Sequence, residues 1–169
     1  LHLPDPHRTT DTFRTECMRH RLPDPFLVAL KSHADRDYRD LGFDRTLEFE
    51  PQLGLLPGPT EPGLKIYDYS VARTRMAARA RPYPVFPCVF VGWDNTPRRG
   101  DNGIVFINST PETFEAGLRA IVETRSSISH QERIVVVNAW NEWAEGNHLE
   151  PDLRFGLQYL EAVRRVNVP

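Results

Sequence analysis

Short apolar runs alternate with amphipathic stretches along most of this chain. The runs are Pro25 to Leu30, Thr46 to Glu50, Val85 to Val91 and Ile134 to Asn138. The last run, short and apolar on both sides, fits a strand buried on both faces of a parallel sheet, while Thr46 to Glu50 is a weaker strand candidate. The stretches between them carry a helical period. Phe13, Cys17 and His20 share one face of a short helix over Thr12 to Arg21, stopped ahead of Pro23. Tyr69 to Ala80 reads as a helix with Val71, Met76 and Ala77 inward. Phe114, Leu118, Ile121 and Val122 form a core-facing stripe, capped by Ser109 or Thr110 with Pro111 and Glu112 as helix starters. Phe155, Tyr159, Ala162, Val163 and Val166 mark a last helix begun by Pro151-Asp152, with Arg164 and Arg165 favourably placed in its last turn. No hairpin signal separates the runs. A strand–helix unit repeated about four times predicts an α/β chain with a parallel sheet. Four such units are half of an eight-stranded barrel.

The breaks refine this outline. Residues 1–169 read as a single domain, with 1–24 an irregular lead-in and short helix and 25–169 a half-barrel of strand–helix units. Ser32 to Leu41 is polar, a loop with a short helix that Gly42 would close. The Pro- and Gly-rich residues 51–63 form a loop. Pro87 is an awkward resident for the interior of a strand. Arg73, Arg75, Arg79 and Arg81 are most simply a solvated face, with phosphate binding as the alternative.

Length and charge narrow the function classes. The 169 residues suffice for one domain with a sizeable core. They fall short of the ~250 of a full (β/α)8 barrel. With 40% hydrophobic residues and a net charge of −2, the chain has neither a disordered composition nor a nucleic-acid footprint. No apolar run is long enough to span a membrane, and Leu1 to Thr10 lacks the apolar core of a signal peptide. Cys17 and Cys88 are too few for a disulfide framework and fit a reducing, cytoplasmic setting.

The chemistry gathers after the last apolar run. Ile134 to Val137 leads straight into Asn138-Ala139-Trp140-Asn141-Glu142-Trp143-Ala144-Glu145-Gly146. Glu142 and Glu145 are three residues apart, a spacing that a helical turn or tight loop puts on one side of the backbone. Paired carboxylates in differing environments suit acid/base work at a glycosidic bond. Trp140 and Trp143 offer flat faces for the C–H faces of sugars, and Asn138 and Asn141 supply neutral donors and acceptors for hydroxyl groups. The plainer alternative makes the tryptophans core residues and the glutamates helix caps. Trp93, Asp94, Asn95, Arg98 and Arg99 follow the preceding strand and would line the same rim, as sites built on several strand ends do. His148, Glu150 and Glu145 invite a metal, but their spacing is not that of a ligand set. No Gly-x-Ser-x-Gly or phosphate-cradling glycine loop is present.

Pro87 to Arg99 (PCVFVGWDNTPRR), Asn138 to Asp152 (NAWNEWAEGNHLEPD) and the following FGLQYLEAVRR resemble the WbsX-like family of lipopolysaccharide and rhamnan biosynthesis glycosyltransferases. That family is related to glycoside hydrolase family 99, the endo-α-mannosidases. Gly42-Phe43-Asp44 and Tyr67-Asp68-Tyr69 also sit where its pattern has them, so the resemblance spans roughly residues 25–166. It implies the C-terminal half, about strands five to eight, of a TIM-type (β/α)8 barrel. It also implies action on an oligosaccharide or polysaccharide without metal or organic cofactor. Glu142 would match the residue that deprotonates the sugar 2-hydroxyl, and Glu145 the general acid/base. Trp93, Asn95 and Arg99 would contribute to substrate subsites. Family members are about twice as long, and an open half-barrel would expose its apolar face at about 25 cal/mol per Å2. The expectation is therefore a homodimer, association with an N-terminal half, or a rearranged sheet. A non-catalytic or carbohydrate-binding fragment is the alternative function.

Overall fold

The computed structural model describes residues 4–31, 36–58, 63–79, 81–125, 128–129 and 132–167. In chain order the elements are α1 (Pro6–Arg19), β1 (Val28–Lys31), β2 (Arg45–Glu48), β3 (Lys65–Asp68), α2 (Tyr69–Ala77), β4 (Val85–Phe86), β5 (Cys88–Phe90), α3 (Thr96–Arg99), β6 (Ile104–Ile107), α4 (Pro111–Thr124), β7 (Val136–Asn138), β8 (Asn141–Glu142), β9 (Asn147–His148) and α5 (Gln158–Asn167). This is a mixed α/β chain whose pairs β1–β2, β2–β4, β3–β6 and β5–β7 are all parallel. The contacts group into two units, residues 1–48 with 81–86, and residues 49–80 with 87–169.

In the first unit the expected lead-in is largely helical. Asp5 caps α1 by accepting from the Arg8 N–H at 2.9 Å, and Pro6 fits the first turn, where its missing N–H costs nothing. Part of the segment from Ser32 to Leu41 lies outside the described residues. Its end is a 3-10 turn, Arg39–Leu41, closed by Gly42 at φ 83° as expected. The sheet runs β1-β2-β4 with Val28 opposite Arg45 and Thr46 opposite Val85. In β1, Ala29 and Lys31 are buried while Val28 and Leu30 face solvent.

The second unit has two apolar clusters with β5 contributing to both. Val89, with Val91, packs with Phe114, Leu118, Tyr159, Ala162 and Val166 from α4 and α5. Phe90 points the other way, onto Tyr69, Ala72, Met76 and Phe106. In this unit β5 is thus a strand buried on both faces. Ile134 is 45% exposed and β7 only half-buried, because β7 pairs with β5 alone among the described residues.

Other departures have local causes. Pro87 splits the expected third strand, β4 pairing with β2 and β5 with β7, while the Pro87 carbonyl still accepts from the Val136 N–H at 2.9 Å. The β3–β6 pair was hidden at the edge of the Pro/Gly-rich loop and behind Gly103, where short mixed runs carry little period. In α2 the buried residues are Tyr69, Ala72 and Met76, whereas Val71 and Ala77 face solvent. Nor are the arginines all solvated. Arg79 is buried against Glu50 at 3.0 Å, and Arg81 pairs with the buried Glu48 at 2.9 Å. The last helix starts at Gln158, because residues 152–156 form a turn with Gly156 at φ 56°. A hairpin, β8–β9, appears where none was expected. No helix among the described residues is long and apolar enough to cross a membrane.

Candidate functional site

The site is built where β5 and β7 end. β7 finishes at Asn138, which pairs with Phe90. Its carbonyl accepts from the Val91 N–H at 3.1 Å, and its amide donates to the Glu50 carbonyl at 2.7 Å. The chain then folds back on itself in the β8–β9 hairpin, Asn141 opposite His148 and Glu142 opposite Asn147. The connection is a 3-10 turn, Trp143–Glu145, ended by Gly146 in the left-handed region at φ 57°. Trp140 caps the base, its carbonyl accepting from the N–H groups of Leu149 and Glu150 at 3.0 and 2.9 Å.

This hairpin puts the two carboxylates in unlike surroundings. Glu142 is exposed, and its carboxylate has no hydrogen-bonding partner among the described residues. Glu145 is half-buried, and its carboxylate is paired with Arg98 of α3. The backbone locks the same contact, with the Asp94 N–H donating to the Glu145 carbonyl at 2.7 Å. Gly146 lies so close to Asp94 that an added Cβ would sit 3.3 Å from its nitrogen. The loop over residues 92–99 and the hairpin therefore meet, as expected of one rim.

Within that loop the candidates divide. Asn95 is buried, and its side-chain oxygen accepts from the Ile104 N–H at 2.7 Å, so it ties the loop to β6. Asp94 accepts from the Thr96 N–H and hydroxyl at 2.9 and 2.6 Å, shaping the turn into α3. Trp93 packs on the Phe90–Phe106 cluster. Arg99 is solvent-exposed. Trp140 and Trp143 are 52% and 49% exposed, so neither is a core residue. Asn141 is exposed beside them.

Three further residues carry the arrangement; in sequence Glu150 reads only as a metal candidate, Asp152 only as a helix start, and Asn147 is not singled out. Asn147 is fully buried, and its side-chain oxygen accepts from the Val91 and Gly92 N–H groups at 3.0 and 3.3 Å, which pins the hairpin to the end of β5. Glu150 accepts from the indole N–H of Trp143 at 2.7 Å. Asp152 meets His148 Nε2 at 3.0 Å. Burial pushes the Asp152 carboxyl up, but the Phe155 N–H, His148 and the Arg154 N–H together hold it below the usual range. Only the polarity of these residues was visible in sequence; their partners are set by the turn at 152–156. Beside the hairpin lies a cavity of about 500 Å3 lined by Trp93, Ser109, His148, Asp152, Arg154 and Tyr159 among others. Neither Glu142 nor Glu145 lines it, so the carboxylates mark a more open surface than the cavity does. Among the described residues no three His, Cys, Asp or Glu side chains converge as a metal site.

Residues 1–163 match the family model described as Glycosyltransferase WbsX. The chain belongs to that family. It is 34% identical over 173 aligned positions to the uncharacterized protein WxcX of Xanthomonas campestris pv. campestris, in strain B100 and a second strain alike. The match takes in 96% of this chain but 25% of those relatives, so the chain spans about a quarter of their length, less than the half expected. A solved glycoside hydrolase-like protein shares the fold, with a TM-score of 0.60, 10% identity, and coverage of 97% of this chain and 50% of its own. The parallel strand–helix order and this likeness are those of a partial barrel.

Proposed function

We propose that the chain is the site-bearing part of a glycan-active protein in polysaccharide or lipopolysaccharide biosynthesis, with Glu142 and Glu145 as its working pair. The observation that carries this reading is the hairpin itself. It carries one open and one half-buried carboxylate together with two exposed tryptophans, beside the loop that bears Arg98 and Arg99.

In the family 99-like scheme, Glu142 takes the proton of a sugar 2-hydroxyl and that oxygen attacks its own anomeric carbon. The glycosidic C–O bond breaks as Glu145 protonates the leaving oxygen. Glu145 then removes a proton from water, which opens the resulting 1,2-anhydro sugar at the anomeric carbon, and Glu142 returns its proton to the 2-oxygen. Configuration is retained without a glycosyl-enzyme, unlike the usual retaining route. The Arg98 partner of Glu145 is 58% exposed, so it is free to swing into solvent as substrate enters.

E142Q and E145Q should each lower turnover of α-mannoside or rhamnan oligosaccharides by about 10²-fold or more. Equal turnover in wild type and both variants would remove the assignment and leave a carbohydrate-binding or non-catalytic role. The family's glycosyltransferase description favours a second reading, transfer from a nucleotide sugar. Arg98 and Arg99 would then face the diphosphate, and saturation-transfer NMR with a nucleoside diphosphate tests it. Association, as a homodimer or with an N-terminal half, belongs to the same proposal because Phe26, Val28 and Leu30 are exposed around β1. The low cysteine count, Cys17 and Cys88 alone, fits cytoplasmic residence.

A further inference from the structure

We infer that His148, anchored by Asp152, is a positioning residue that holds the indole of Trp143 as a preformed stacking platform for a sugar ring. This rests on the glycan reading above and assigns it a binding subsite. An exposed tryptophan on a turn is ordinarily free about two side-chain torsions. The Trp143 side chain is held at two points instead. Its indole N–H donates to Glu150 at 2.7 Å. One face of its ring lies flat on the His148 imidazole, with centroids 3.7 Å apart and planes 21° apart.

The support beneath the indole is itself fixed. His148 Nε2 is 3.0 Å from Asp152 Oδ2, while Asp152 Oδ1 accepts from the Arg154 and Phe155 N–H groups at 2.8 and 2.5 Å. With a charged carboxylate at Nε2, the imidazole carries its proton there, and Nδ1 is the buried nitrogen without a partner among the described residues. The chain of contacts therefore runs from the backbone of the 152–156 turn through Asp152 and His148 to the indole. Stacking covers one indole face, while the side chain as a whole stays 49% exposed. Trp143 also lies in sequence between Glu142 and Glu145, on the turn that closes the hairpin. Trp140 is as exposed but has no ring stack or indole hydrogen bond among the described residues, which makes it an internal control.

Pre-organisation acts by removing the ordering cost of one side chain, worth about three- to tenfold in affinity. The test is 19F NMR of the chain labelled with 5-fluorotryptophan, its three resonances assigned through W93F, W140F and W143F. The probes are methyl α-D-mannoside and methyl α-L-rhamnoside. One of the glycosides is expected to shift the Trp143 resonance. H148A and D152A should narrow and move that resonance, leave Trp140 unchanged and weaken glycoside binding about three- to tenfold. H148F, which keeps a stacking ring, should restore both line and affinity. Trp93, partly buried against the Phe90–Phe106 cluster, reports whether each variant is folded. An unchanged Trp143 line in H148A, or no recovery in H148F, overturns the clamp. A normal clamp with no glycoside shift at any tryptophan overturns the glycan reading, and the platform role with it.

Discussion

Replacing Asn147 by alanine should loosen the site without touching either carboxylate. Asn147 is fully buried, and its side-chain oxygen is shared by the N–H groups of Val91 and Gly92 at 3.0 and 3.3 Å. Val91 has a second acceptor, the Asn138 carbonyl at 3.1 Å, so the substitution strands only the buried Gly92 N–H. One orphaned buried donor costs about 1–3 kcal/mol. The space left by the amide adds to this, giving about 2–4 kcal/mol in all. Urea denaturation is the assay, read as a lower midpoint at unchanged slope. N147D keeps an acceptor in place and should recover part of the loss, limited by the cost of burying a carboxylate. Because Glu142 pairs with Asn147, the same variant should also lower any turnover that depends on Glu142. A midpoint equivalent to within about 0.5 kcal/mol of wild type, the usual effect of a surface change, would refute the idea that Asn147 pins the hairpin.

Two further outcomes are expected. Hydrogen bonds from Arg119 and then Arg165 hold the Glu115 carboxyl below the usual glutamate range, so Glu115 binds its proton less readily folded than unfolded. Its stabilisation of the α4–α5 contact is therefore present above about pH 4.3 and lost as pH falls through the lower folded value. Thermal melts of E115Q should show a shallower loss between neutrality and acid than wild type, and parallel curves would contradict this. Light scattering of the isolated chain should give a mass above 19.5 kDa, because Val28 and Leu30 leave β1 with exposed apolar side chains. A monodisperse species at the monomer mass would remove the expected association.

The sequence by itself determined the class of the fold and where the candidate chemistry gathers along the chain. Apolar runs and amphipathic stretches are local patterns, so parallel strand–helix order, the Thr110 cap of α4 and the Gly42 turn could be read from neighbouring residues. The Asn-Trp-Asn-Glu-Trp-Ala-Glu string likewise announced its chemistry by composition. Which residue performs which task was decided only by tertiary contacts. Phe90 and Val89 reach opposite cores, Arg79 is drawn inward by Glu50, and Asn95 is consumed by Ile104. Asn147 and the His148–Asp152 pair gained their roles because buried polar groups must find partners, and those partners lie far along the chain or across a turn. The two glutamates stand three residues apart in sequence. Only the hairpin, its left-handed Gly146 and the reach of Arg98 made one open and the other half-buried. A spacing along the chain cannot encode that difference, because burial depends on what the rest of the fold brings alongside.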